Sequence, residues 1–175
     1  MGDELRHLIR EIPDFPSPGI GFKDITPLLA DAAALDGAVR GLAELARPMR
    51  PDLVIGAEAR GFLLGPALAR ELGCGFVLAR KPGRLPHQTV RVEYELEYGA
   101  DALELHADAV APGHRVLVHD DLLATGGTAG ALCRLVGVAG ARVAGCVFLI
   151  ELAFLGGAGR LAPHPVAALL RYDAG

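Results

Sequence analysis

The clearest structural signal in this chain is the stretch VLVHDDLLATGGT, residues 116–128. It begins as an apolar run, which is typical of a strand buried on both faces of a parallel sheet. Two adjacent carboxylates, Asp120 and Asp121, follow, and small residues then lead into a helical pattern. This order of strand, loop and helix predicts an α/β fold with a ligand site at the carboxyl edge of the sheet.

The small-residue loop after the carboxylates has the composition of a phosphate cradle. Glycines let backbone N–H groups converge on an anion, the following helix N-terminus adds partial positive charge, and hydroxyls add neutral donors. The residues assigned to this cradle are Ala124, Thr125, Gly126, Gly127 and Thr128. Because carboxylates cannot neutralise a phosphate, Asp120 and Asp121 should face hydroxyl donors or a metal, as a ribose beside its phosphate would provide. Acids that merely cap a helix are the structural alternative.

Other apolar runs and helical patterns extend this organisation along the chain. Strands are predicted over residues 52–57, 75–80, 115–120 and 142–150, and helices over 35–45, 62–72 and 128–138. Their alternation predicts a parallel twisted sheet flanked by helices. The length of the chain fits a single domain over residues 1–175.

Two segments interrupt the alternation. Residues 12–27 contain four prolines in sixteen positions, which excludes a regular helix or a central strand. Residues 81–105 begin with Pro and Gly and then alternate, which predicts a mobile loop followed by a hairpin. Long irregular segments in a compact domain are usually functional, so we expect both to contribute to the site.

The composition excludes several classes of protein. The 175 residues carry a net charge of −4, which argues against non-specific binding of nucleic acid. The sequence has no long uninterrupted apolar run and begins with the charged segment MGDELRHLIR, so we expect a cytoplasmic protein that neither enters a membrane nor carries a signal peptide. The three cysteines are widely spaced and predict neither a disulfide framework nor a zinc site.

Residues 116–128 resemble the phosphoribosyl-pyrophosphate signature of type I phosphoribosyltransferases. Further stretches are similar in order and spacing to the adenine phosphoribosyltransferase family: IPDFPSPGIGFKDITPLL (12–29), EARGFLLGPALA (58–69), ARKPGRLP (79–86) and YELEYG (94–99). The resemblance implies a type I phosphoribosyltransferase-like fold, with a small N-terminal hood within residues 1–27 and a flexible catalytic loop and hairpin over 81–105. It also implies a homodimeric pentosyltransferase of purine salvage that uses Mg²⁺ and converts adenine and phosphoribosyl pyrophosphate into AMP and diphosphate.

The resemblance assigns roles to individual residues. Asp120 and Asp121 would hold the ribose hydroxyls, and the cradle over 124–128 would bind the 5-phosphate. The residues expected at the diphosphate are Arg60, Gly61, Arg80, Lys81 and Arg84. Mg²⁺ would be held through substrate and water, with Asp120 and Asp121 as candidate protein ligands. In that family the loop matching Glu58 and Ala59 often carries a cis peptide bond, so we predict one here.

For the base, the resemblance implies a hood contact and a carboxylate in the hairpin. The hood residues expected at adenine are Ile20, Gly21, Phe22 and Lys23. Glu97 would contact the imidazole side of adenine and assist proton loss, and it joins Arg60 as a predicted catalytic residue. Strand alternation places Glu93, Glu95 and Glu97 on one face, so spacing alone leaves the choice among them open.

Two alternatives to this function remain open. A transferase for another purine is disfavoured by Ala124, because related 6-oxopurine enzymes have an acid at that position. A regulator that senses phosphoribosyl pyrophosphate would need a DNA-binding domain or a basic face. One departure from the family is His119, which interrupts the aliphatic strand; we interpret it as a core histidine bonded to backbone.

Overall fold

The computed structural model describes residues 3–15, 18, 21–96 and 99–174. In chain order, its strands and α-helices are β1 (Arg10–Ile12), β2 (Phe22–Asp24), α1 (Thr26–Ala30), α2 (Ala32–Ala46), β3 (Leu53–Ala57), α3 (Gly61–Leu72), β4 (Gly75–Ala79), β5 (Thr89–Leu96), β6 (Gly99–His106), β7 (Arg115–Leu123), α4 (Gly127–Val138), β8 (Arg142–Leu152), α5 (Gly157–Arg160) and β9 (Val166–Tyr172). Short 3₁₀ turns lie at Asp3–Leu8, Arg47–Met49 and Ala153–Leu155. Over these ranges no helix has both the length and the apolar character needed to span a membrane.

The centre of the fold is a five-stranded parallel sheet in the order β4-β3-β7-β8-β9. One aliphatic cluster lies on the face covered by α2 and α3, and a second lies on the face covered by α4. Burial of these aliphatic side chains on both faces is the main source of stability. The predicted α/β class, the four predicted strands and the three predicted helices are confirmed.

The main sheet has one strand more than the four predicted strands, and one of those four is longer than predicted. The segment VAALLRY forms β9, which pairs in parallel with β8, although its Ala and Leu content is equally compatible with a helix. Pairing with β8 decides its conformation. Strand β7 continues to Leu123, three residues beyond the predicted end at Asp120, so Asp121 also lies within the strand.

The helix ends follow local sequence signals. Asp31 accepts hydrogen bonds from the backbone N–H groups of Ala33 and Ala34, both at 2.9 Å, which caps α2 and starts it three residues before the predicted position. Helix α3 ends at Gly73, which adopts a left-handed conformation with φ of 73°.

The two irregular segments form small antiparallel units beside the main sheet. Strands β1 and β2 pair across the Pro-rich segment, and Pro27 lies in the first turn of α1. Strands β5 and β6 form the predicted hairpin, and an antiparallel bridge between Arg80 and Glu104 connects it to the end of β4. The hairpin therefore adjoins the end of β4.

Candidate functional site

The site lies where β3 and β7 end side by side. These strands are parallel neighbours, with Gly56 paired to His119, so the loops that follow them meet at one edge of the sheet. Arg60 from the first loop and Asp121 from the end of β7 approach each other, with 3.3 Å between Nε and Oδ1. One concave pocket is lined by Arg60, Asp120 and residues 122–129, which brings the predicted cradle and Asp120 together, while Asp121 is buried behind its wall and approaches Arg60.

The cradle is shaped by close backbone contacts. Gly126 has φ of 84° and precedes α4, whose first turn closes with a hydrogen bond from the Gly130 N–H to the Gly126 carbonyl at 2.8 Å. A Cβ on Gly126 would lie 2.8 Å from the Gly157 carbonyl oxygen, and a Cβ on Gly157 would collide with the Ala124 carbonyl oxygen. Gly157 is therefore a site-shaping residue that the sequence interpretation missed, although the run GGAG at 156–159 is a visible sign of close approach.

The acidic pair is held in an environment that disfavours its charge. Asp121 is 1% exposed, and its Oδ1 lies near Arg60 without accepting a hydrogen bond. Burial, together with the neighbouring Asp121 charge, raises the pKa of Asp120 to about 8. Burial also raises the pKa of Asp121, although the Arg60 charge opposes this change. Hydroxyl donors or a cation brought by a ligand would favour the ionised forms of both groups.

The loop after β3 has the cis peptide bond predicted between Glu58 and Ala59. Helix α3 then begins directly against the strand ends: a Cβ on Gly61 would lie 3.2 Å from the Gly56 Cα and 3.3 Å from the His119 carbonyl oxygen. Gly61 thus permits a close approach of backbone to backbone. Its contact with a diphosphate remains a prediction.

Glu58 binds the basic residues after β4, a role for its side chain that the sequence did not predict. Arg80 donates to Glu58 Oε2 from Nε at 3.2 Å and from Nη2 at 2.8 Å, and the Lys81 N–H donates to Oε1 at 2.6 Å. Partial burial acts in the opposite direction, but these hydrogen bonds and the charges of Arg80 and Arg84 lower the pKa of Glu58 below its ordinary value. An acid two residues before Arg60, in the same loop, was the available signal in the sequence.

The other two predicted cations after β4, Lys81 and Arg84, make different contacts. Lys81 Nζ forms an ion pair with Asp101 Oδ2 of the hairpin at 3.0 Å. Arg84 is exposed, and its carbonyl accepts a hydrogen bond from Arg80 Nη1 at 3.2 Å. The structure therefore places Arg60, Arg80 and Arg84 around the loop that contains Glu58, while Lys81 is directed towards the hairpin.

The hood residues face in two directions. The Phe22 ring lies 5.5 Å from the Arg60 guanidinium carbon, next to the acidic pair and the cradle. Gly21 is exposed beside it. Lys23, on the other face of β2, is only 5% exposed and forms an ion pair with Glu11. Ile20 and Glu97 lie outside the described residues, so their predicted contacts with adenine are not located.

His119 has the structural role expected from its position. It is fully buried, and its Nδ1 lies 3.0 Å from the Val147 carbonyl oxygen, whereas Nε2 has no hydrogen-bond partner. Burial lowers the pKa of His119 to about 4. The ring is therefore neutral at physiological pH, as a core histidine should be.

Comparison with known proteins agrees with this geometry. Residues 27–164 match the model of the phosphoribosyl transferase domain. The adenine phosphoribosyltransferase of Rubrobacter xylanophilus is 58% identical over 96% of this chain and 91% of its own length, and that of Solibacter usitatus is 56% identical over 97% and 98%.

Solved structures agree equally well. The adenine phosphoribosyltransferase of Thermoanaerobacter pseudethanolicus superposes with a TM-score of 0.95 at 50% identity, covering 98% of this chain and all of that one. A Saccharomyces cerevisiae adenine phosphoribosyltransferase, solved with an imino-altritol bisphosphate and adenine, gives 0.91 at 38% identity over 97% and 98% of the two chains. The chain therefore belongs to the phosphoribosyl transferase family and, within it, to the adenine phosphoribosyltransferases.

Proposed function

We propose that this protein transfers the 5-phosphoribosyl group of phosphoribosyl pyrophosphate to adenine and releases AMP and diphosphate, a purine-salvage reaction. The observation that carries the proposal is the pocket in which Arg60, Asp120 and the cradle over 124–128 meet, with Asp121 buried beside it next to Arg60. Its parts match the parts of the sugar donor: backbone donors for a phosphate, carboxylates for hydroxyls and a guanidinium for the diphosphate.

The cradle and the acids would hold the sugar. Backbone N–H groups at the start of α4 and the hydroxyls of Thr125 and Thr128 would bind the 5-phosphate without adding positive charge. Asp120 and Asp121 would accept hydrogen bonds from the ribose hydroxyls. Their negative charge would also stabilise the positive charge that develops at the anomeric carbon as the diphosphate leaves.

The guanidinium and ammonium groups would stabilise the leaving diphosphate. Arg60 lies in the pocket, and Arg80, Lys81 and Arg84 follow β4 beside the same loop. A bidentate guanidinium contact favours phosphate oxygens over water. Closure of the basic segment over the substrate would exclude water, which matters because hydrolysis of the donor is the competing reaction.

The acidic pair also fits a cation delivered with the substrate. The described residues contain no cluster of three or more His, Cys, Asp or Glu side chains able to hold a metal, so most ligands would come from substrate and water. Asp120 and Asp121 are the candidate protein ligands, and Asp121 Oδ1 is a buried oxygen that accepts no hydrogen bond. When bound, Mg²⁺ would reduce the charge of the diphosphate and make it a better leaving group.

On the base side, Phe22 would stack against adenine beside the sugar pocket, with Ile20, Gly21 and Lys23 contributing the rest of the hood. Glu97 would accept the proton that adenine loses as its N9 attacks the anomeric carbon. Ala124 adds support, since an acid suited to a 6-oxopurine is absent from that position.

We further propose a cytoplasmic homodimer. Strand β4 is an edge strand of the sheet and presents Leu78, 42% exposed, and the helix that precedes it, α3, presents Leu63, 46% exposed. Exposed apolar side chains at a sheet edge are typical of an interface.

A base-specificity assay tests the proposed reaction. The purified protein, Mg²⁺ and phosphoribosyl pyrophosphate are incubated in parallel with adenine, hypoxanthine, guanine or xanthine. We expect AMP and diphosphate with adenine and far slower turnover with the 6-oxopurines. Faster turnover of a 6-oxopurine would show that the substrate is that base and not adenine. Tight binding of the donor without any nucleotide product would support the regulatory alternative.

A further inference from the structure

We infer that Lys23 is a positioning residue: it anchors the β1–β2 ribbon of the hood to the end of β9 and thereby sets the affinity for the base, without contacting the base through its ammonium group. This inference rests on the proposed function. The three side chains that form the anchor, Glu11, Lys23 and Tyr172, are called the hood clamp below.

The first half of the clamp lies within the ribbon. Glu11 and Lys23 are directly opposite each other in the antiparallel pairing of β1 and β2, and Lys23 Nζ lies 2.6 Å from Glu11 Oε1. Lys23 is 5% exposed, whereas Glu11 is mostly exposed. A buried ammonium needs compensating partners, so the position of Lys23 is strongly constrained.

The second half of the clamp connects the ribbon to the main sheet. Lys23 Nζ lies 4.6 Å from the centre of the Tyr172 ring, and Tyr172 is the last residue of β9. Arg6 also approaches this ring, at 4.6 Å, and donates to the Arg171 carbonyl at 3.1 Å. Cation–π attraction is stronger when the cation is shielded from water, as Lys23 is.

The clamp matters because the ribbon cannot hold its own position. It has two strands of three residues each, and an isolated two-stranded ribbon is marginally stable at best. Side chains alternate along a strand, so Lys23 and Phe22 lie on opposite faces of β2. When Lys23 binds Tyr172 on one face, Phe22 is held against Arg60 on the other.

The clamp joins the two ends of the chain. Lys23 and Tyr172 both lie outside residues 27–164, which match the phosphoribosyl transferase domain model. The clamp is therefore separate from the donor-binding part of the site. Its loss should raise the KM for adenine more than the KM for phosphoribosyl pyrophosphate.

The ribbon provides its own matched control. Arg10 forms an ion pair with Asp24 at 3.5 Å within the same ribbon, but it is 62% exposed and has no contact with β9 among the described interactions. Arg10→Met and Lys23→Met remove the same charge from neighbouring positions of one ribbon. Only the second breaks the connection to Tyr172.

Steady-state kinetics with adenine and with phosphoribosyl pyrophosphate test the clamp. Lys23→Met and Tyr172→Leu should each raise the KM for adenine about tenfold and leave the KM for the sugar donor within about twofold. Arg10→Met should change both by less than about twofold. Tyr172→Phe should behave like the wild type because it keeps the ring face.

The double variant K23M/Y172L should be about as impaired as Y172L alone, since both substitutions remove the Lys23–Tyr172 contact and Y172L also removes the contact with Arg6. The inference is overturned if K23M leaves the KM for adenine within twofold, if Y172F is as harmful as Y172L, or if the two defects multiply. An equal rise in the KM of both substrates would also overturn it, because that result indicates general damage to the fold.

Hydrogen exchange tests the clamp independently of catalysis. In the unliganded protein, K23M and Y172L should accelerate amide exchange in residues 10–12 and 22–24, while R10M should not. Unchanged exchange in K23M would overturn the inference. If the wild type makes no AMP but exchange changes as expected, the proposed function has failed and the clamp has not.

Discussion

At the scale of single residues, the Arg60–Asp121 pair is the best-defined part of the site. Asp121 is nearly fully buried, so its carboxylate exchanges hydrogen bonds with water very little and would depend on the ligand for them. Arg60 reaches it from the neighbouring strand end at 3.3 Å. Asp121 is therefore placed to orient Arg60, which lines the pocket.

Asp121→Asn should reduce kcat by about a hundredfold or more, because it removes the negative charge that faces the developing positive charge of the sugar. The fold should remain intact, since the substitution removes a buried charge and keeps the shape. Asp108→Asn, at an exposed position, is the matched control and should leave kcat unchanged. Near-wild-type turnover of D121N would contradict the assignment.

Two of the candidate glutamates, Glu93 and Glu97, can be separated by substitution. Glu97→Ala should lower kcat by about a hundredfold, as expected for loss of a general base. Glu93→Ala should have little effect, because the Glu93 side chain is exposed and forms an ion pair with Arg91 at 2.9 Å. The kcat of each variant with saturating adenine decides between them; a larger defect in E93A would transfer the role to Glu93.

His119 should make the protein less stable in acid. Its pKa is about 4 in the fold against an ordinary value of 6.5, so the unfolded chain binds its proton more readily. The contribution of neutral His119 to the free energy of unfolding is fully present above pH 6.5. It is lost as the pH falls towards 4, by roughly 3 kcal/mol in total.

His119→Val should therefore reduce the loss of stability between pH 6.5 and 4. Urea unfolding of the metal-free protein at several pH values measures it. His7→Ala, at an exposed position, is the control and should retain the wild-type slope. An unchanged slope in H119V would show that other groups govern the acid sensitivity.

At the scale of elements, the cradle depends on a segment from elsewhere in the chain. Helix α5 begins at Gly157, whose backbone packs against the loop between β7 and α4. The loop therefore keeps its shape partly because the connection between β8 and β9 presses against it. Nothing in residues 116–128 alone indicates this contact.

Gly157→Ala should raise the KM for phosphoribosyl pyrophosphate about tenfold, because the new methyl group would collide with the Ala124 carbonyl and displace the cradle. Gly159→Ala, in the same short helix, has open space around the added atom and is the control. Steady-state rates at varied phosphoribosyl pyrophosphate measure this KM. The rise in melting temperature with added donor measures its binding independently. Equal effects of the two substitutions would argue against a specific contact.

At the scale of the whole molecule, the exposed leucines of α3 and β4 predict a dimer of about twice the 18.2 kDa chain mass. Leu78→Glu should shift the mass measured by light scattering towards the monomer, because it places a charge in an apolar interface. Val138→Glu, at an exposed apolar position at the end of α4, is the control. A monomeric wild type, or a dimer that L78E does not disturb, would contradict the proposed interface.

Much of the fold and of the donor site could be predicted from residue patterns. Buried parallel strands are continuous apolar runs, so the four strands were visible, and a strand followed by acids and a glycine-rich loop predicted the pocket. Strand β9 was missed because Ala and Leu favour a helix as readily as a buried strand. The role of the Glu58 side chain was missed because it depends on Arg80 and Lys81, more than twenty residues away.

The sequence by itself determined the α/β class, the order of the main strands and helices, and the cradle with its acidic pair, because these depend on local periodicity and on residues adjacent in the chain. Tertiary structure decided which distant groups meet: Arg60 with Asp121, Glu58 with Arg80, Gly157 with Ala124 and Lys23 with Tyr172. Such pairs form between strand ends and chain ends brought together by folding. The members of each pair are far apart in the sequence and form no periodic pattern, so only the packing of the sheet brings them into contact.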